Sequence, residues 1–528
     1  VAARQDQLVT THRIADTVPD TDSVRQNFDG ITYHKGASVM RQLAAWVGDD
    51  AFRAGVQDYF RRYKWGNATL QEFLDCIGRG SGRDMASWSK QWLETTGMNV
   101  LCPEFTLQDG RYQGFTVLQR PASPQHPTLR SHRIAIGLYD IEDDGHLRRR
   151  RSVPLDVEGE RTAVPALDGE RAADLVLVND SDLTFAKLRF DEHSVTTLLE
   201  HLSALDDPLA RALCWAALWD MTRDAELPTR RYVEVAARHA RREEEPALIE
   251  RVLTQAIAAC DMYSELSNRI RVRSMLHQAA REQVDTLPRD SLTRLSWVRC
   301  LITTSQTDPD LELLQAVLEE GRRIDGIELD TDLRWLIVAR LATTGRFDAS
   351  RIRAELGRDP TDFGRRHAAA SLAARPEAEA KAEAWDIVVD PAKPVAQAWN
   401  GVVHEPISLA TLATIMRGFA FGAFVEGGFH RPGQDQLLQP YVTRYLEQVP
   451  AVWAQRSVED AEEFTESMYP RYLTDDSVIA AVEALIDRPN LPAPARRILQ
   501  EGLDGTRRAR RAREADAAAA HGVLATVH

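Results

Sequence analysis

The sequence predicts a mostly α-helical protein interrupted once by a small β-sandwich. Three observations carry this. Apolar residues recur at helical spacing through residues 31–93. Between residues 104 and 178 the period shortens to two, with Asp-Gly and Glu-Gly turns between the runs. From Ser194 onward the helical stripes return, broken at prolines. The expected organisation is a helical segment at 1–98, a β-sandwich at 99–190 and a large curved array of antiparallel helices at 191–528.

The first element is organised around residues 27–48. Asp29 or Thr32 can cap a helix whose apolar stripe is Val39, Met40, Leu43 and Val47, and Gly48 stands where a left-handed residue would stop it. Gly36 lies inside this helix at a cost of about 1 kcal/mol relative to alanine, which predicts close approach of another chain segment. Tyr33 falls near the helix start, a place suited to a phenol that hydrogen-bonds an anion. His34 and Lys35 are expected to point away from Tyr33 and either to be exposed or to contact a neighbouring domain. Further helices are predicted at about 49–62, at about 69–79 and around Met85, Trp88, Trp92 and Leu93, with the two tryptophans as core. His12 sits in a polar stretch over residues 1–26, where a substrate-pocket role competes with a structural one.

Asp109-Gly110 and Asp144-Gly145 are hairpin signals between alternating runs, and Asp174–Val178 closes the series, so a small antiparallel sandwich is expected. The run Arg148–Arg151 reads as a solvated strand edge that discourages pairing. In the helical array, Pro208, Pro228, Pro246, Pro288, Pro309 and Pro360 fall where N1 prolines would open new helices. Leu209, Leu213, Ala216, Ala217 and Met221 form one predicted stripe; Trp215, Trp219 and Trp297 are assigned to core. Residues 415–433, rich in Gly and Phe, read as tightly packed helices and a turn, with a flexible chamber wall as the rival. The basic stretch Arg507–Arg513 reads as a solvated terminal helix.

Composition bounds the function. With 44% hydrophobic and 27% charged residues among 528, the chain has an ordinary globular make-up. A formal charge of −14 argues against nucleic acid as a partner. No apolar run reaches 18 residues, so no membrane partner is expected. Five scattered cysteines, with neither disulfide nor metal-ligand spacing, predict free thiols and a cytoplasmic protein.

The run Phe28-Asp29-x-Ile31-x-Tyr33-x-Lys35-Gly36-Ala37-x-Val39 resembles the zinc aminopeptidases of the aminopeptidase N (M1) family, just downstream of their metal site. The agreement continues in the family's order through Phe52, Gly55, Tyr59-Phe60, Asn67 and Trp88-x-x-x-Trp92 to Gly97. The resemblance implies that 1–98 is the end of a thermolysin-like helical catalytic domain, followed by the family's β-sandwich and helical C-terminal domain. It implies peptide substrates, one zinc ion that activates water, an upstream glutamate as base, and Tyr33 as a catalytic phenol that stabilises the oxyanion. The family's His-Glu-x-x-His does not occur; His404-Glu405 is followed by Pro406, which spoils a helix, and no second histidine follows. The metal ligands are therefore expected upstream of Val1. On this reading the chain is the C-terminal portion of a longer enzyme and is inactive alone. The alternative is a non-catalytic peptide-binding or scaffold protein that kept the helical array.

Overall fold

The computed structural model describes residues 2–16, 29–319, 329–421 and 434–520. The chain forms two compact units, Val1–Asp220 and Met221–His528.

In the first unit a short helix α1 (Ala2–Gln5) precedes a π-turn at Ile31–Lys35 that runs into α2 (Gly36–Val47). Asp29, not Thr32, supplies the cap: its Oδ1 accepts from the N–H groups of Ile31 at 2.9 Å and Thr32 at 3.2 Å. Gly48 ends α2 with φ 89° and ψ 145°, a positive φ that favours glycine, though not the helical left-handed region expected. The same residue leads directly into α3 (Asp49–Tyr63), whose first turn carries Asp49 and Asp50 against the helix dipole. A capping box of Thr69 and Glu72 starts α4 (Leu70–Ser81), and Asp84 caps α5 (Met85–Trp92). Val39, Leu43, Leu74, Ile77, Trp88 and Trp92 bury their side chains together as the core of this segment. Truncating either tryptophan to alanine would remove about 3–5 kcal/mol. Trp88 Nε1 donates to the buried Gln42 Oε1 at 2.7 Å, and Trp92 Nε1 to the Ser131 carbonyl at 3.1 Å.

The strands follow as β1 (Val100–Gln108), β2 (Arg111–Arg120), β3 (His132–Ile141), β4 (Leu147–Val157), β5 (Arg161–Ala163), β6 (Leu175–Val178) and β7 (Lys187–Leu188). They form a sheet of order β5-β2-β1-β7 and another of order β4-β3-β6. Asp109 and Gly110 make the β1–β2 turn with φ 51° and 70°, the geometry for which Asp-Gly is selected. The expectation of a purely antiparallel sandwich is corrected at one place: β7 pairs with β1 in parallel, Val100 opposite Lys187. A strand of two residues has no periodicity from which to read its direction. The Arg148–Arg151 run lies on edge strand β4, but it is ion-paired rather than merely solvated. Arg148 meets Glu142, Asp144 and Asp206; Arg149 meets the buried Asp180 at 2.6 Å; Arg150 meets Asp140 at 2.7 Å; Arg151 meets Glu170. A helix α6 (Glu192–His201), capped by Asp191, follows the sandwich.

Beyond α6 the described residues form helices joined by turns and loops, with a longer irregular stretch between Val389 and Leu409 that holds only the short turn Gln397–Trp399. Pro208 and Pro246 open helices and Pro309 is the second residue of another, whereas Pro228 precedes a helix as its cap and Pro288 lies in a turn. On helix Pro208–Arg223 the buried face is Ala210, Cys214, Trp215, Ala217 and Leu218, while Leu209 and Ala216 are exposed, so the predicted stripe is rotated. This helix is apolar around much of its girth, and spacing alone does not select a face. Trp215 and Trp297 are core; Trp219 is half-buried. Helix Leu409–Phe421 crosses Asp362–Ala374 closely at Gly418, where a Cβ would lie 2.2 Å from the Ala370 carbonyl oxygen. This is the tight packing expected for the start of the Gly/Phe-rich stretch; residues 422–433 lie outside the described residues.

The last helix, Ala493–Ala520, is not a solvated tail. Ala509, Ala512 and Asp516 are buried, and Arg508 pairs with Asp224 at 2.5 Å. Arg513 Nε donates to the Met262 carbonyl at 2.8 Å and Nη1 to Thr474 Oγ1 at 2.9 Å; its burial pulls the guanidinium pKa down to about 10. No helix among the described residues is long and apolar enough to cross a membrane.

Candidate functional site

The residues singled out in the sequence converge on the π-turn before α2. A π-turn carries an i→i+5 bond, here from Gly36 N–H to the Ile31 carbonyl, and such turns recur at functional sites. Tyr33 stands on its outer side with 51% of its surface exposed. Its backbone N–H is held by the Asp29 carbonyl at 3.2 Å. His34 is exposed, as expected.

Lys35 is not exposed. Its side chain has no accessible surface, and its Nζ lies 2.9 Å from Asp6 Oδ2. Ile31, Lys35 and Val39 are spaced by four, so Lys35 belongs to the inward stripe and the turn carries it under the helix. Nζ also donates to the Thr95 carbonyl at 3.4 Å and sits 5.9 Å from the Phe185 ring centroid. Asp6 Oδ1 accepts from Thr11 Oγ1 at 2.7 Å and from Gly97 N–H at 2.9 Å. One carboxylate therefore joins the N-terminal stretch, the turn after α5 and the π-turn. Burial pulls the Lys35 ammonium down to about 8, the Asp6 charge opposing and Arg130 adding to the fall.

Arg130 completes the buried base. Its Nε donates to the Gln91 carbonyl at 2.9 Å, Nη1 to Asn99 Oδ1 at 2.9 Å and Nη2 to Thr95 Oγ1 at 2.7 Å, and its guanidinium lies 5.4 Å from the Trp92 ring centroid. Sequence reasoning missed Asp6 and Arg130 and misplaced Lys35. For Lys35 a signal was present, a charged residue four from Ile31 and four from Val39 on a buried stripe.

Gly36 corrects another expectation. A Cβ there would meet no atom within 4 Å, so no close neighbour among the described residues requires glycine. His12 joins the π-turn from below: Nε2 lies 3.2 Å from Asp29 Oδ2, and Nδ1 is 2.8 Å from the Arg13 carbonyl. It braces the residue that caps the turn.

Among the described residues no three His, Cys, Asp or Glu side chains converge to hold a metal ion. His404 and Glu405 lie exposed in the loop before helix Leu409–Phe421. The described residues do not fit a metal centre. What they offer is an exposed phenol on a turn anchored from behind by buried charge, and a phenol is a hydrogen-bond donor at neutral pH.

Residues 1–92 match the Peptidase family M1 domain, and residues 175–508 match the ERAP1-like C-terminal domain. The chain belongs to the aminopeptidase N (M1) family. It is 42% identical over 525 residues to aminopeptidase N of Streptomyces lividans, covering 98% of this chain and 59% of that protein. It is 39% identical over 97 residues to probable aminopeptidase 2 of Sulfurisphaera tokodaii, covering 18% of this chain and 12% of that one. It is 35% identical over 96 residues to the mitochondrial aminopeptidase 2 of Saccharomyces cerevisiae, covering 18% and 10%. The chain thus spans little more than half of the Streptomyces relative.

Proposed function

We propose that this chain is the C-terminal part of a zinc-dependent aminopeptidase that hydrolyses N-terminal residues from peptides. Tyr33 donates its hydroxyl hydrogen to the oxyanion that develops on the scissile carbonyl oxygen. The observation that carries the role is the placement of Tyr33: an exposed phenol on a π-turn whose inner side is locked by Lys35 and Asp6. A preorganised donor of this kind stabilises the transition state by about 3 kcal/mol. In this reading residues 1–98 end the catalytic domain, 99–190 are a β-sandwich domain and 191–528 are a helical-array domain.

The zinc ligands lie, in this proposal, in an upstream part of the intact enzyme, and the chain alone is inactive. The cytoplasm is the proposed location, supported by five cysteines none of which is in a disulfide.

The test is the intact mass, zinc content and aminopeptidase activity of the native protein from its source cells. A mass well above 59.2 kDa with stoichiometric zinc and turnover of aminoacyl nitroanilides supports the proposal. A native protein of 59.2 kDa without zinc or turnover overturns it.

A further inference from the structure

We infer that Lys35 and Asp6 are positioning residues for Tyr33, their buried ion pair holding the π-turn in the register that turns the phenol outward. The inference rests on the oxyanion role proposed for Tyr33.

Tyr33 and Lys35 are two residues apart on a helical turn. In this wider turn a step of two residues still swings the side chain through nearly half a revolution, so the two point to nearly opposite sides. Fixing Lys35 inward therefore fixes Tyr33 outward. Stability alone is a poor explanation for a charged pair here. Two buried charges lose their hydration, and apolar residues of similar volume commonly do as well or better. The neighbours on the same stripe, Ile31 and Val39, are apolar. What the pair supplies beyond packing is direction. An apolar side chain tolerates sliding, whereas Nζ must meet Oδ2, and it does so at 2.9 Å. Asp6 is itself held, because Gly97 N–H and Thr11 Oγ1 bind its other oxygen. The reference point for Tyr33 is thus the end of α5 and the N-terminal stretch, not α2 alone. A phenol acting on an oxyanion needs that accuracy, since displacement by about 1 Å costs about 100-fold in rate.

The test is a set of double-mutant cycles in the native full-length protein, reading kcat and KM on an aminoacyl nitroanilide, with metal content and thermal melt as controls. Lys35→Met with Asp6→Asn removes the charges and keeps the Asp6 hydrogen bonds to Gly97 and Thr11. In the Tyr33 parent this pair is expected to lower kcat by about 10- to 100-fold with KM and metal content unchanged. In a Tyr33→Phe background it should cost less than about twofold more. If the charge-free pair fails to fold, Lys35→Arg keeps the charge and shifts its position, and the same comparison applies. Equal losses in both backgrounds, or an unchanged kcat in the Tyr33 parent, overturn the positioning role alone. Full turnover by Tyr33→Phe overturns the oxyanion reading, and the positioning role falls with it.

Discussion

Asp516, sealed from solvent near the end of the last helix, accepts from both the backbone N–H and the Nε of Arg230, at 2.9 and 3.0 Å. The two residues are 286 positions apart in sequence. The same carboxylate accepts from Glu265 N–H at 3.1 Å and from Asn268 Nδ2 at 3.2 Å. Replacing it with alanine leaves a half-buried guanidinium and three further donors, Arg230 N–H, Glu265 N–H and Asn268 Nδ2, without this acceptor. Asp516→Ala is expected to destabilise the second unit by about 3–5 kcal/mol, the cost of breaking a buried ion pair from one side. Denaturant unfolding checks it; a loss below about 1 kcal/mol would show the last helix to be a dispensable tail.

Tyr33→Phe in the native full-length protein removes one hydroxyl from an exposed ring. Turnover is expected to fall by about 100- to 1000-fold. KM should hold, and stability should change by less than about 0.5 kcal/mol, as for surface substitutions generally. Steady-state kinetics beside a thermal melt separate the two effects.

Lys381 introduces a pH dependence of known sign. It is fully buried on helix Ala378–Val389, and its Nζ donates to the carbonyls of Ala373 at 2.8 Å and Phe419 at 3.2 Å. Burial pulls its pKa down to about 7, with Arg375 adding to the fall, from 10.5 in the free side chain. Between these values the unfolded chain holds the proton and the folded chain does not. Stability therefore rises with pH from about 7 toward about 10, at up to about 1.4 kcal/mol per pH unit. In Lys381→Met this contribution disappears while other titrations are shared. The stability of the parent minus that of the variant, measured in denaturant at pH 6 to 9, should climb; a flat difference would contradict the buried ammonium.

Thiol chemistry offers a direct check on the core. Cys76, Cys214, Cys260 and Cys300 are buried, and burial pushes each thiol up, Cys300 to about 12. Cys102 is only half-buried. An aromatic disulfide reagent at pH 8 should titrate Cys102 in the native protein and all five thiols in guanidinium. Rapid reaction of more than one thiol in the native state would contradict this packing.

Local rules made much of the fold readable. The start of α2 follows from Asp29 and its end from Gly48, and the β1–β2 turn follows from Asp109-Gly110, because each depends on a few neighbouring residues. Tyr33 was legible only through the longer run of matched residues around it, since one exposed tyrosine carries no signal. What escaped depends on partners distant in the chain. The direction of Lys35 away from Tyr33 is legible from helical geometry, but its full burial is not, because Asp6, which makes that burial tolerable, stands 29 positions earlier. The arginines of the last helix read as a solvated face because Asp224 and Glu483, which pair with Arg508 and Arg507, are far away in sequence. β7 escaped for a different reason, being too short to show a period.

The parallel pairing of β7 with β1 has a mechanical consequence. The chain comes into the sandwich at Val100 and leaves it at Leu188 on neighbouring strands, about 4.8 Å apart. Lys187 N–H bonds the Asn99 carbonyl and Arg189 N–H bonds the Leu101 carbonyl, each at 2.9 Å. Because the strands run the same way, tension drawn between α5 and α6 loads these two bonds in shear. The load passes across the clamp and bypasses the rest of both sheets. The sandwich hangs from the force path as a side loop, and it is stretched only after the clamp has given way.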